Sequence, residues 1–372
     1  MKELIELFEA RRRSPHVPHV VATVLRVEGS SYRRPGARML IDVHGRVAGS
    51  VSGGCLERSI ITQARSVLMD GTSRLLAFDT TDASDDALGS SLGCGGKIWI
   101  GLELVPAGQA WPLEAMIDRI RVRREPAALV TRIQTTSGRI RFVSTPLFSG
   151  EEDDIEAIWR QDVYDVLAER KNRFVGDQTR SGALIEWLAP PLRLVLLGGG
   201  YDVPPLVRLG RELGHEIIVI DRRLDIARAE NFPNANLVIA SKPHEMASHL
   251  SPGQRTVAVI MNHHYDTDRD ALAALLPLRL PYIAVLGPKR RTERMLEEIE
   301  GEGHDLSPDV LATIHGPAGL DIGAETPEQI GLAILAEIQA VLAGRNGIKL
   351  RVRVAPIHAE SSPSDSLCLL PA

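Results

Sequence analysis

Cysteine is scarce in this chain: Cys55, Cys94 and Cys368 are the only three in 372 residues. So low and odd a count excludes a disulfide framework, and any special cysteine must act as a thiol or a ligand. Long apolar runs are also missing. None approaches the roughly 18 residues that span a bilayer, and the opening MKELIELFEARRR reads as an amphipathic helix rather than a cleavable leader. The expectation is a cytoplasmic protein with no stable membrane insertion. Excess positive charge is absent too. With 43 basic and 48 acidic residues the net charge is −5, so no overall field draws the chain to nucleic acid. Lysine is rare, six of the 43 basic residues. A genome bias toward arginine explains that, although arginine is the better fork for phosphate wherever it lines a pocket.

What is present is an ordinary globular composition, 44% hydrophobic and 24% charged, at a length that implies two or three domains. The first block, residues 1–105, reads as α+β. VPHVVATVLRVEG is a β-branched strand, ARMLIDVHGRVAGSV is two strands meeting at His44-Gly45, and KIWIGLELV is a further strand. Between them, GGCLERSIITQARSVLMDG places Leu56, Ile60, Ala64 and Val67 on one helical face, with Gly71 as the stop. Residues 106–190 read as a partly structured connector. It holds a helix at PLEAMIDRIRVRRE, strand-like AALVTRIQ and RIRFVST, and an acidic run from Glu151 to Asp154 that suits a solvated helix start better than a metal site.

From residue 191 to 345 short apolar runs alternate with helices: RLVLLGGG, EIIVIDRR, LVIA, TVAVIMN and YIAVLG. Such alternation predicts a Rossmann-like doubly wound parallel sheet with helices on both faces. The last helix opens on Thr326 with Pro327 and Gln329 as a capping box, carries Ile330, Ile334, Ile338 and Leu342 as its packing stripe, and ends at Gly344. Residues 346–372 read as a loose tail containing Cys368.

Several motifs can carry chemistry. GGGYDV lies between a strand and a helix, with Asp221 at the end of the next strand. In a dinucleotide fingerprint Gly198 makes the turn, Gly200 admits a pyrophosphate to the helix N-terminus, and Asp221 faces a ribose hydroxyl. Val203 stands where Gly or Ala is usual and Pro204-Pro205 follow. The alternative is a doubly wound domain that keeps the turn and binds no dinucleotide tightly. In SVSGGCLE, Ser52, Gly53 and Gly54 lead to Cys55 at a helix start. There the helix dipole lowers a thiol pKa and favours an anion; the plainer alternative is a small buried cysteine beside a bend. SLGCGGK repeats the theme with Gly93, Cys94, Gly95 and Gly96. Neither cysteine belongs to a C-x-x-C pair, so no metal site is expected. His263-His264 in MNHHYD falls at a strand end, as an acid-base group or as a helix cap. Lys289, Arg290 and Arg291 in GPKRR begin a helix, to grip phosphate or to form a solvated turn.

Taken in order, GSSYRRPGARMLID, GSVSGGCLE, LGCGGKIWI, the glycine turn, LGPKRR and HGPAGLDIGAETPEQIGLAILAEI resemble the XdhC/CoxI family, from about Ala22 to Gly344. The resemblance implies an N-terminal XdhC/CoxI domain and a C-terminal Rossmann domain. It implies an accessory protein that binds the molybdenum cofactor (molybdopterin), supports its sulfuration by a cysteine desulfurase, and delivers it to an apo molybdenum hydroxylase of the xanthine dehydrogenase, aldehyde oxidase or carbon monoxide dehydrogenase type. A homodimer is expected. Matching positions are Gly29-Ser30, Pro35-Gly36, Ser52 to Cys55 with Glu57, Gly93 to Gly96, Gly198, Gly200, His263, Lys289 to Arg291, and Pro317 to Gly323. The family's turn usually reads GAGHVA; here Tyr201 replaces the histidine and Val203 the small residue, and Asn262 stands where a threonine is usual. In this reading Cys55, Cys94 and His263 carry chemistry. The glycines with Ser52, Asp221 and the basic turn bind cofactor. The competing reading is an NAD(P)-dependent oxidoreductase with His263 as its acid-base group. A third is a dimerisation platform with an empty nucleotide cleft.

Overall fold

The computed structural model describes residues 1–54, 56–79, 96–136, 139–148, 157–177, 182–250 and 255–353. The chain forms two compact units, Met1–Pro190 and Pro191–Ala372.

The first unit starts with helix α1 (Lys2–Arg13), which buries Leu4, Leu7, Phe8 and Arg11 at helical spacing. Strands β1 (His19–Gly29), β2 (Arg38–Asp42) and β3 (Gly45–Gly49) follow, then helix α2 (Glu57–Asp70) and strands β4 (Arg74–Asp79) and β5 (Gly96–Val105). They form an antiparallel sheet ordered β3-β2-β1-β5-β4. The expected face of α2 is the buried one: Leu56, Ile60, Ala64 and Val67 pack on Val20, Ala22, Val24, Ile98, Ile100 and Leu102. Gly71 ends α2 in the left-handed conformation, φ 71°, with its N–H bonded to the Val67 carbonyl.

Residues 106–190 hold more regular structure than a connector. Helix α3 (Pro112–Arg123), strands β6 (Ala127–Thr136) and β7 (Arg139–Phe148), helix α4 (Arg160–Glu169) and strands β8 (Arg173–Val175) and β9 (Ala183–Leu188) build a four-stranded antiparallel sheet ordered β7-β6-β9-β8. Leu113, Met116, Ile117 and Ile120 of α3 share one core with Leu4, Leu7 and Phe8 of α1. The acidic run at 151–154 lies outside the described residues.

The second unit is the expected parallel sheet. Its elements are β10 (Arg193–Leu197), α5 (Val203–Glu212), β11 (Glu216–Asp221), β12 (Leu237–Ala240), β13 (Thr256–Ile260), α6 (Tyr265–Leu275), β14 (Ile283–Val285), α7 (Lys289–Gly301), α8 (Pro308–Leu311), β15 (Ile314–His315) and α9 (Pro327–Leu342). Sheet order is β12-β11-β10-β13-β14-β15, parallel throughout. Counted within the unit, that order is the one dinucleotide-binding folds use, and it reverses between β10 and β13. Alternate residues of the same strands feed two cores. Val195, Leu197, Ala258 and Ile260 face α6 and α7; Leu194, Leu196, Val257 and Val259 face α5 and α9.

Local differences have local causes. The segments after β11 and β12, expected as helices, are 3-10 turns at Ala229–Asn231 and Pro243–His249. The latter buries only Met246, too little apolar surface to hold an α-helical face against the sheet. The α9 capping box forms: Thr326 Oγ1 accepts from the Gln329 N–H at 3.4 Å and Gln329 Oε1 accepts from the Thr326 N–H at 3.1 Å. Ile334 and Ile338 are buried, but Leu342, one turn farther, is exposed.

Candidate functional site

In the first unit the site is built where β3 runs into α2. Glu57, in the first turn of α2, folds back onto the loop before it. Its Oε1 accepts from the Ser52 N–H at 3.1 Å and lies 3.0 Å from the Ser50 hydroxyl, and its Oε2 accepts from the Ser52 hydroxyl. Ser52 Oγ in turn accepts from the N–H groups of Gly54 at 3.1 Å and Leu56 at 3.2 Å. Burial pushes the Glu57 carboxyl up, but the bonds from Ser52, Ser50 and two backbone N–H groups outweigh it and hold the carboxyl below its usual range. Ser52 is therefore a buried keystone of the loop, while Gly53 and Gly54 are exposed. The Tyr32 ring lies over Gly53, where a Cβ would meet it at 3.4 Å, and Gly54 has φ +111°.

This loop walls a cleft of about 570 Å³ lined by Tyr32, Arg33, Arg46, Ser50, Ser52 and Glu57 among others. Its size is that of a small-molecule site. It offers an aromatic face, hydroxyls and two guanidinium groups, of which Arg33 is tied to Glu3 and Arg46 reaches the Gly49 carbonyl at 3.4 Å. Cys55, Gly93, Cys94 and Gly95 lie outside the described residues. Gly96 is described, at the start of β5. A Cβ there would sit 2.3 Å from the Ser30 carbonyl oxygen and 2.6 Å from that of Glu28, so close strand approach to β1 requires this glycine.

In the second unit the expected residues converge at the carboxyl edge of β10, β11 and β13, where ligands of such sheets bind. The three glycines after β10 each meet a different neighbour. A Cβ on Gly198, φ +122°, would strike the Met261 carbonyl oxygen at 2.6 Å; on Gly199, Ile226 at 2.4 Å; on Gly200, Asp202 Oδ1 at 2.7 Å. Asp221 sits at the end of β11 as expected, and its carboxylate accepts from the Gly199 N–H at 2.7 Å, the Arg223 N–H at 2.8 Å, and Arg223 Nε and Nη2 at 2.9 and 2.7 Å. Burial pushes that carboxyl up, but Arg223 with the Gly199 N–H prevails and holds it below its usual range.

His263 is at the rim, with its side chain 55% exposed and a left-handed φ of 59°, a conformation that non-glycine residues hold only where the surroundings enforce it. Its Nε2 lies 2.7 Å from Asp202 Oδ2. Asp202 is only 7% exposed at the side chain, and its Oδ1 is buried without a hydrogen-bond partner. His264 has Nδ1 3.2 Å from Thr267 Oγ1, in the first turn of α6.

The basic turn divides by role. Arg291 donates to Asp268 Oδ2 at 2.6 Å and to the Leu286 carbonyl at 3.1 Å, and Asp268 Oδ1 accepts from the N–H and Nδ2 of Asn262. That chain ties α7 to α6 and to the end of β13. Lys289 and Arg290 point outward, Lys289 lying 3.7 Å from Glu293. Asp202 and Asp268 are the site residues that the motifs alone missed, and Glu57 was matched to the family without a role. Asp202 sits inside the glycine turn, but its partner is 61 residues away, beyond any local pattern. Among the described residues no group of three or more His, Cys, Asp or Glu side chains is arranged to hold a metal ion, and no helix is long and apolar enough to cross a membrane.

An antiparallel α+β unit with a glycine loop at a helix start, joined to a parallel unit with the dinucleotide-fold strand order, defines a narrow class of two-unit proteins. Comparison with known proteins places the chain within it. Residues 194–338 match the model of the XdhC Rossmann domain and residues 13–79 that of the XdhC and CoxI family. A Bacillus subtilis protein named as a probable subunit of xanthine dehydrogenase is 30% identical over 91% of this chain and 94% of its own length. The molybdenum cofactor insertion chaperone PaoD of Escherichia coli is 22% identical over 87% of this chain and 83% of its own. A crystal structure described as a xanthine dehydrogenase from Bacillus halodurans superposes with a TM-score of 0.72 at 28% identity, covering 93% of this chain and 97% of that one. The chain belongs to the XdhC and CoxI family.

Proposed function

We propose that the protein is an accessory factor that carries the molybdenum cofactor, supports its sulfuration and delivers it to an apo molybdenum hydroxylase. The carrying observation is the cleft beside the Ser52–Gly54 loop. A pterin bearing a phosphate needs a flat apolar face, hydrogen-bonding groups and a cation for the phosphate. Tyr32, the hydroxyl of Ser50, and Arg33 with Arg46 supply these in a cavity of about 570 Å³. Exposed Gly53, just before α2, leaves backbone open to an anion on the N-terminal side of the helix, while the Gly54 N–H is given to Ser52 Oγ.

Two relatives are named for a molybdenum cofactor insertion chaperone and for a probable component of xanthine dehydrogenase; those names support the cargo and the recipient class. Cys55 follows Gly54 directly in the sequence. In this proposal Cys55 or Cys94 stands beside the metal of the cargo or relays sulfur from a cysteine desulfurase, and the working form is a homodimer. Replacing both cysteines (Cys55→Ala with Cys94→Ala) is expected to abolish activation of an apo-hydroxylase. A double variant that binds cofactor and activates the recipient as the parent does would remove the cysteines from the proposal.

A further inference from the structure

The crevice at the carboxyl edge of the parallel sheet has the strand order of a dinucleotide site, yet its chemistry is inverted. A pyrophosphate is held by free backbone N–H groups at a helix N-terminus. Here the Gly198 N–H is bonded to the Ile220 carbonyl and the Val203 N–H to the Gly200 carbonyl, and the Gly199 N–H to Asp221. Positions 204 and 205 are prolines with no N–H to give. The Asp221 carboxylate, which would face a ribose, already accepts four hydrogen bonds. At the N-cap of α5 stands a second carboxylate, Asp202, whose side chain does not cap the helix.

Asp202 is more than nine-tenths buried at its side chain. Its Oδ2 is bonded to the exposed His263, and its Oδ1 is unpartnered. A buried carboxylate oxygen without a donor is unfavourable by itself. Gly200 packs close to it: a Cβ there would lie 2.7 Å from Oδ1 and 3.6 Å from the His263 ring. Gly200 has an ordinary φ, so room for the Asp202–His263 pair, not backbone strain, accounts for its lack of a side chain.

We propose that this crevice is a second ligand site, selective for a planar nitrogen heterocycle that presents adjacent N–H and amino donors, and closed to dinucleotide phosphates. The donor edge pairs with Asp202, as paired N–H groups do with a carboxylate, and His263, held by Asp202, borders the ring. The 2-amino-4-oxopyrimidine edge, common to pterins and guanine, is the chemistry that fits. A pterin as its source rests on the cargo reading above; the exclusion of phosphate does not.

The test is calorimetric titration of the full chain with neopterin, guanosine, NADH and pyrophosphate. Neopterin or guanosine is expected to bind, and the stronger of the two identifies the source of the edge; NADH and pyrophosphate are expected to give no heat at millimolar concentration. Asp202→Asn, which removes the charge at constant size, is expected to weaken the heterocycle by roughly tenfold to a hundredfold. Pyrophosphate is expected to give no heat with this variant either, because the N–H groups of the turn stay bonded. A melting temperature equal to the parent's separates the lost ligand contact from a lost fold. Should Asp202→Asn fail to fold, Gly200→Ala tests the same point, since its Cβ must displace the carboxylate. Binding of NADH or pyrophosphate to the parent, or heterocycle binding that is absent or unchanged in both variants, overturns the inference. If the purified chain still carries molybdenum cofactor in that event, the cargo reading survives and only the crevice assignment falls.

Discussion

Single side chains set much of the protein's response to pH. Glu103 on β5 pairs across the sheet with Val21, and Arg38 on β2 with Thr23 two residues along β1, so both acid and base project from one face. Burial pushes the Glu103 carboxyl up to about 7, and the nearby Arg38 charge offsets only part of that. A carboxyl raised on folding adds stability that is complete below its unfolded pKa and is lost as pH rises through about 7. Glu103→Gln is therefore expected to match the parent near pH 5 and to be more stable than it at pH 8, by on the order of 2–4 kcal/mol. Urea denaturation at the two pH values checks this; a variant no more stable than the parent at pH 8 contradicts it. His215 is the opposite case in the other unit. Burial, aided by Arg255, pushes it down to about 4, so its contribution weakens as pH falls from its usual range toward that value. None of this is legible in sequence, because Glu103 sits in a strand whose neighbours are fixed by pairing rather than by spacing.

At the scale of elements, the two sheets of the first unit are joined by a clamp. Arg38 of β2 donates to both oxygens of Glu186 of β9, at 2.8 and 2.5 Å, with both side chains almost wholly buried. Gly36 is cut to fit it: a Cβ there would lie 2.5 Å from Glu186 Oε1, while Asn172 holds the Pro35 carbonyl at 2.9 Å. The Pro35-Gly36 motif was legible as family-like, but its partner lies on a strand that sequence reading did not find. Glu186→Ala is expected to destabilise the chain by about 3–5 kcal/mol, the cost of an unpaired buried guanidinium. Replacing Arg38 as well with an apolar residue should restore much of that; a single variant within about 1 kcal/mol of the parent would show the clamp to be dispensable.

Other elements divide along the same line. Helices α2 and α9 were legible because an apolar stripe and a stop signal agree within one stretch of chain, with a capping box added in α9. In the sheet of β6 to β9 the first two strands were read as strand-like, but β8 and β9 were not: β8 is three residues long, and β9 takes its place in the sheet by pairing with β6, distant in sequence. Leu342 continues the α9 stripe by spacing yet is exposed.

For the whole molecule, the two-unit plan and the parallel sheet followed from the alternation of short apolar runs, and the family from motifs spread over most of the chain. The candidate site was legible in part. Glycine turns marked where backbone bends sharply, and they do stand at both clefts. What each glycine serves was hidden, since the answer is a neighbour from another element: Tyr32 over Gly53, Met261 against Gly198, Asp202 under Gly200. The fold therefore marked the candidate clefts, while side-chain partners decide what chemistry each can offer.

The central claim is that this chain carries the molybdenum cofactor. Its most direct measurement is on the full chain purified from cells that make the cofactor: molybdenum content by mass spectrometry, together with the fluorescence of the oxidised pterin. The account predicts molybdenum and pterin in equal amounts on the parent protein, both reduced when Arg33 and Arg46 of the cleft are replaced by alanine. Protein that carries neither, isolated from cells whose hydroxylases are fully loaded, would contradict it.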